Sequence, residues 1–168
     1  ITSDGFLYKA DLNQRGRRLR FDAIKTQPPG ECEIEGLAPA EDAGAYFIAC
    51  KNSGKRLVIF QWSQSTGYKK AIDIKLRGAV PNPKEFRATD LVHDKLSRSL
   101  LVLDSSAGAI LEISNAGEPL AYWALGGVHP QAEGLSLLDD GRLVVADEGQ
   151  IGNGALVSGA LTVYPPRR

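Results

Sequence analysis

Apolar residues along this chain come in short runs separated by turn residues, and several runs open in the same way. Gln131-Ala132-Glu133-Gly134-Leu135 leads through Ser136-Leu137-Leu138 to an Asp139-Asp140-Gly141 turn, and Arg142-Leu143-Val144-Val145-Ala146-Asp147 follows. The same plan starts at Glu35-Gly36-Leu37 and passes a Glu41-Asp42-Ala43-Gly44 turn into Tyr46-Phe47-Ile48-Ala49-Cys50-Lys51. A third copy begins Thr89-Asp90-Leu91 and reaches Ser99-Leu100-Leu101-Val102-Leu103-Asp104. Aligned on their acids, two copies carry a second acid fourteen residues on, Asp104 after Asp90 and Asp147 after Glu133. An acid-led β-hairpin repeated three times marks a repeat architecture.

The pattern predicts strands throughout. Gly5–Leu12 and Leu19–Ile24 form a partial blade within 1–27. Ile34–Ala38, Ala45–Cys50, Leu57–Trp62 and Ala71–Leu76 fill a four-stranded unit over 31–78, with turns at Ser53-Gly54 and Gln64–Gly67. Phe86–His93, Ser99–Asp104, Ile110–Ser114 and Leu120–Leu125 fill a second unit over 86–127. Gly134–Leu138, Leu143–Asp147 and a strand within Ala155–Tyr164 form a partial unit over 131–165, interrupted by a glycine-rich loop at Gly149–Gly154. The opening acids lie 55 and 43 residues apart, close to the roughly 40–50 residues of a four-stranded propeller blade. Strands alternating with helices would need segments of 3.6 period, and the chain has none. The expected fold is therefore all-β, a propeller of four-stranded antiparallel blades that is incomplete, with about three to four blades present. Either the chain is part of a larger propeller, or its N-terminal strands complete the C-terminal blade of an unusually small ring. The larger propeller is the expectation, because the chain begins at Ile1 rather than at an initiator methionine. For the same reason, the lack of a leader says nothing about export.

Composition narrows the function classes. The chain has 168 residues, 20 Lys plus Arg and 20 Asp plus Glu, so its net charge is zero and it offers no electrostatic case for nucleic acid. No apolar run approaches the roughly 20 residues of a membrane helix. Arg15, Arg17, Arg18 and Arg20 cluster near the N-terminus. They suit a solvated turn and a charge-protected edge strand better than an anion site. Trp62 lies in Val58-Ile59-Phe60-Gln61-Trp62, a strand apolar on both faces, where an aromatic is core before it is a stacking platform. Cys32 precedes the first strand of a hairpin and Cys50 ends the second, nearly opposite it. Cross-strand neighbours are close enough for a disulfide, and two buried free thiols in a reducing compartment are the alternative.

The hairpins also carry a resemblance. Pro130-Gln131-Ala132-Glu133-Gly134-Leu135, the Asp-Asp-Gly turn and Leu143-Val144-Val145-Ala146-Asp147-Glu148 resemble the closing signature of the SdiA-regulated domain family, bacterial propellers usually found outside the cytoplasm. Ile34-Glu35-Gly36-Leu37 with Tyr46-Phe47-Ile48-Ala49 resembles an earlier blade of that family. Asp90-Leu91 with Leu101–Asp104 and Ile110–Ile113 resembles the blade between. The likeness covers about 31–149 and implies that one or two N-terminal blades are absent, with a periplasmic, envelope or secreted location. Related propellers include phytase-like esterases and calcium-dependent lactonases, which brings hydrolysis into consideration.

In a propeller the innermost strand of each blade lines a channel, and loops at its mouth build the usual ligand site. Glu35, Asp90 and Glu133 each begin a predicted innermost strand, so radial repetition brings three carboxylates toward one axis. Crowded carboxylates need a cation, a shared proton or hydrogen-bond donors. Two readings follow: a Ca²⁺ site with these three ligands, or three structural clasps accepting backbone N–H bonds from the next blade. Asp104, Asp147 and Glu148 end second strands and read as turn chemistry. His129, in the loop Gly126–Gln131, is the candidate general base of a lactonase-like reaction, together with Glu133. A loop histidine is more often a solvated side chain, and His93 is weaker still. No Gly-x-Ser-x-Gly elbow, P-loop, His-Glu-x-x-His or Cys-x-x-Cys occurs. The leading expectation is a non-catalytic extracytoplasmic propeller that binds a small ligand or protein partner at its channel mouth. A calcium-dependent hydrolase is the alternative.

Overall fold

The computed structural model describes the chain except residues 12, 15–17, 52–55, 127–128, 153–154 and 167–168, and the side chains of 70, 150–152 and 155–157. The predicted Ser53-Gly54 turn, and Arg15 and Arg17 of the basic cluster, lie outside the described residues. Described residues form strands and turns with no helix.

β3 (Ile34–Pro39), β4 (Ala45–Cys50), β5 (Arg56–Ser63) and β6 (Gly67–Lys75) form one antiparallel four-stranded sheet in sequence order. β7 (Ala88–Asp94), β8 (Ser99–Asp104), β9 (Ala109–Ser114) and β10 (Pro119–Ala124) form the second. β11 (Ala132–Leu137), β12 (Leu143–Asp147) and β15 (Ala160–Tyr164) form a three-stranded third. A small hairpin, β13 (Gln150–Gly152) with β14 (Ala155–Val157), occupies the stretch expected to be a glycine-rich loop. The first strands β3, β7 and β11 lie side by side across the three sheets. Meandering four-stranded sheets with neighbouring inner strands are the blades of a β-propeller, so the fold is an incomplete propeller.

The N-terminal strands do not complete the third sheet. β1 (Phe6–Ala10) and β2 (Phe21–Lys25) pair only with each other. They cover the first blade instead: Leu7 and Ile24 pack against Ile34, Tyr46, Ile48, Trp62 and Tyr68. Trp62 is buried there as core.

Alternation explains the layers. In β4, Ile48 faces the β1–β2 pair, while Phe47 and Ala49 face the second blade. In β8, Leu100 and Val102 face the first blade and Leu101 and Leu103 the third. Every residue of β8 is buried, which is why its sequence is a nearly unbroken apolar run rather than an alternating one. Phe86, predicted to begin a strand, instead lies in the preceding connection and inserts fully buried between the first two blades.

Candidate functional site

The three hairpins share a backbone feature absent from an ideal ladder. The register slips between Ile34 and Gly36, between Ala88 and Asp90, and between Ala132 and Gly134. Each slip is a bulge, leaving one extra residue: Glu35, Thr89 and Glu133. The homologue of the two glutamates is therefore Thr89, and Asp90 occupies the position of Gly36 and Gly134. This corrects the alignment on acids. The equal fourteen-residue spacing arises because Leu91 and Val102, which pair, are one residue further apart than Leu135 and Val145.

Glycine is needed at Gly36 because the inner strands approach closely. A Cβ there would sit 2.5 Å from Leu91 Cδ2 and 3.0 Å from the Leu91 nitrogen. At Asp90 the carboxylate uses the same proximity. Its Oδ2 accepts the Leu135 N–H at 2.8 Å and its Oδ1 the Leu91 N–H at 2.8 Å, and the Leu37 backbone also donates to it. Asp90 thus ties together the corresponding leucines of three blades, as the clasp reading anticipates. Burial pushes it from the usual 3.8 up to about 6, against the pull of these three amides. Thr89 adds a second tie, donating from Oγ1 to the Ala132 carbonyl at 2.9 Å.

Glu35 and Glu133 meet charge and solvent instead of backbone amides. Lys51 Nζ is 3.2 Å from Glu35 and 3.3 Å from Glu33. Glu133 is exposed, and its carboxyl is raised by partial burial and then by the charges of Glu35 and Glu148, with Lys51 opposing. The structure does not assemble Glu35, Asp90 and Glu133 into a ligand set: among the described residues, no group of three or more His, Cys, Asp or Glu is arranged to hold a metal ion. Asp90 is spent on amides and Glu35 on Lys51.

His129 does not stand open at the mouth. Its side chain is 2% exposed, and Nδ1 lies 2.7 Å from Asp147 Oδ2, itself 4% exposed. Nε2 contacts the Tyr164 hydroxyl, which donates to the Gly126 carbonyl. Both ring nitrogens contact protein groups, and the imidazole pins the loop before β11 to β12 and β15. His93 is buried against the Phe47 ring edge, with Nδ1 3.2 Å from the Pro39 carbonyl.

One set of residues, two of which read locally as turn chemistry, does more. Cys50, Asp104 and Asp147 are equivalent, lying opposite Ile34, Ala88 and Ala132. Each fastens the end of a second strand to the segment entering the first. Cys50 does it covalently, through a disulfide to Cys32 with Cα atoms 5.1 Å apart. Asp104 accepts the Arg87 N–H at 3.0 Å and the Tyr122 hydroxyl at 2.8 Å. Asp147 accepts the Gln131 N–H at 3.4 Å besides holding His129. The tyrosines respond accordingly: burial and the neighbouring carboxylate raise both Tyr122 and Tyr164.

No family model and no curated protein matches the chain. Solved structures do. A Bacteroides caccae protein of unknown function superimposes with a TM-score of 0.55 at 17% identity over 95% of this chain and 58% of its own. The structure of a nidogen/laminin complex superimposes with a TM-score of 0.58 at 17% identity, over 87% of this chain and 51% of its own. The chain spans between half and three-fifths of the length of these structures. At such identities the likeness is one of fold.

Proposed function

We propose that this incomplete propeller binds a small ligand or protein partner at the mouth lined by its inner-strand bulges, without catalysis, and that the group recognised is cationic. The observation that carries this reading is the carboxylate excess at the rim. Glu33 and Glu35 sit at the Lys51 ammonium, and Glu35 and Glu148 are close enough to Glu133 to raise it, with Lys51 opposing among the described residues. Like charges held together on a rigid rim are relieved by an arriving cation. The engaged nitrogens of His129 favour binding over the calcium-dependent hydrolase reading.

An extracytoplasmic location is part of the proposal. Its support is the Cys32–Cys50 disulfide, which persists in oxidising compartments. Kinship with the SdiA-regulated domain family is proposed on the bulge-led Glu-Gly-Leu hairpins and the propeller fold they build.

The test is a thermal melt of wild type and Glu133→Gln with calcium, with a short diamine, and with a chelator. A ligand at 100 times its dissociation constant stabilises by about 2.7 kcal/mol, a rise of a few degrees at this chain length. The expected result is a rise with a cation that Glu133→Gln weakens. No rise with either cation would remove the rim as a cation site. Turnover of a lactone or phosphoester abolished by His129→Ala would favour the hydrolase instead.

A further inference from the structure

The three inner hairpins turn in the same way at the end away from their bulges. Gly44, Arg98 and Gly141 precede Cys50, Asp104 and Asp147 by the same number of residues and are therefore equivalent. All three take a left-handed backbone, with φ of 77°, 55° and 83°. Glycine adopts that conformation freely and arginine does not. An arginine held there, where both repeat-mates are glycines, points to a use for its side chain. Its ion pair does not supply one. Arg98 Nε lies 3.5 Å from Glu41 Oε1, with the two side chains 75% and 47% exposed, and an exposed pair of that length stabilises little.

Arg98 also borders a cavity of about 200 Å³ between the first two blades. Phe47 and Ile72 give it buried apolar walls. Glu41 and Asp42 line it from the β3–β4 turn, and Asn115 from the β9–β10 turn. Beside it Gly117 comes so close that a Cβ there would sit 2.5 Å from Ile72 Cγ2, which closes the two blades together. His93 fixes the Asn115 amide. The Pro39 carbonyl at Nδ1 can only accept, so Nε2 carries no proton and accepts from Asn115 Nδ2 at 3.4 Å. The cavity lies inside the blade array, and all its lining residues come from two four-stranded sheets and their turns.

We propose that this cavity is a second binding site, for a single free α-amino acid. The ligand carboxylate pairs with Arg98, its ammonium with Glu41 and Asp42, and its side chain rests on Phe47 and Ile72. The charges select the class. A ligand with only a carboxylate is repelled by Glu41 and Asp42, one with only an ammonium is repelled by Arg98, and a zwitterion satisfies both. The space is smaller than the roughly 300–1,000 Å³ of drug-sized sites, which limits the ligand to something small. The inference does not depend on cation binding at the bulges, which lie at the other end of these hairpins.

The test is a titration of the backbone amide NMR spectrum with each standard L-amino acid, up to about 10 mM, well above a weak Kd of about 1 mM. It is run for wild type, Arg98→Gly and Glu41→Gln. At least one apolar amino acid is expected to shift the wild-type resonances around Phe47, Arg98 and Asn115. Each variant, and the deaminated acid and decarboxylated amine of that amino acid, should bind at least about tenfold more weakly. Arg98→Gly restores the residue that the other two turns use, so it should melt at or above the wild-type temperature. The absence of shifts with every amino acid overturns the proposal, as do shifts confined to other residues. So does equal binding of the acid or the amine alone, or an Arg98→Gly that keeps wild-type affinity or melts below wild type.

Discussion

Asp90→Asn isolates the charge of the central clasp while keeping its shape. The carboxyl lies at about 6 in the folded protein against 3.8 ordinarily. The folded state therefore holds the proton more tightly than the unfolded chain. The stabilisation this gives is fully present below the unfolded value and is lost as pH rises through the folded one. The shift of about two units corresponds to about 3 kcal/mol in total, of which about 2 kcal/mol falls between about pH 4.5 and 7. The amide that replaces the carboxyl does not titrate, so the variant lacks this loss. Urea unfolding of both proteins at the two pH values gives the quantity directly, because the other carboxylates cancel in the comparison. Wild type should lose about 2 kcal/mol more than Asp90→Asn on going from about pH 4.5 to 7. Parallel pH dependences, or a wild type that gains stability with rising pH, would refute the reasoning and show that the three amides outweigh burial. Asp90→Ala should be worse at either pH. It strips an acceptor from the Leu37, Leu91 and Leu135 amides, at about 1–3 kcal/mol for each donor left buried and unmet.

The remaining predictions concern the closures around this clasp. Reduction of Cys32–Cys50, or Cys50→Ser, should cost about 3 kcal/mol for a loop of 18 residues, read as a lowered melting temperature with reductant that the variant no longer shows. Gly36→Ala forces a Cβ to within 2.5 Å of Leu91 Cδ2 and should cost about 1–3 kcal/mol in urea unfolding. An unchanged midpoint would mean that β3 and β7 separate freely.

The repeat is legible because each hairpin must present apolar residues to two neighbours, and that demand writes itself into runs such as Ser99–Asp104. Alignment within the repeat is not. An acid at Asp90 imitates Glu35 and Glu133 in sequence, but the bulge that separates Thr89 from Asp90 has no residue signature of its own. One residue decides whether a carboxylate projects at the rim or reaches across to amides of neighbouring blades. His129 misleads for a related reason. Its environment is made by Asp147 and by Tyr164, 35 residues away, and no local pattern announces that partnership. The β13–β14 hairpin is hidden because its glycines read as a loop.

What the sequence does contain is the equivalence of Cys50, Asp104 and Asp147. All three end a second strand, and each hairpin leaves the same gap, since the bulge breaks the ladder where the chain enters the first strand. That gap needs a tie from the far end of the second strand, and the backbone supplies part of it three times. Lys51 donates to Glu33, Ser105 to Arg87 and Glu148 to Gln131. The side chain at the preceding position supplies the rest, by a sulfur–sulfur bond once and by a carboxylate twice. This accounts for residues that otherwise suggest catalysis. Asp147 beside His129 has the look of a charge-relay pair, yet its counterpart Asp104 does the same mechanical work with a tyrosine hydroxyl and no histidine. A carboxylate–imidazole pair whose repeat-mate is a carboxylate–phenol pair, and whose other repeat-mate is a disulfide, is best understood as a fastening.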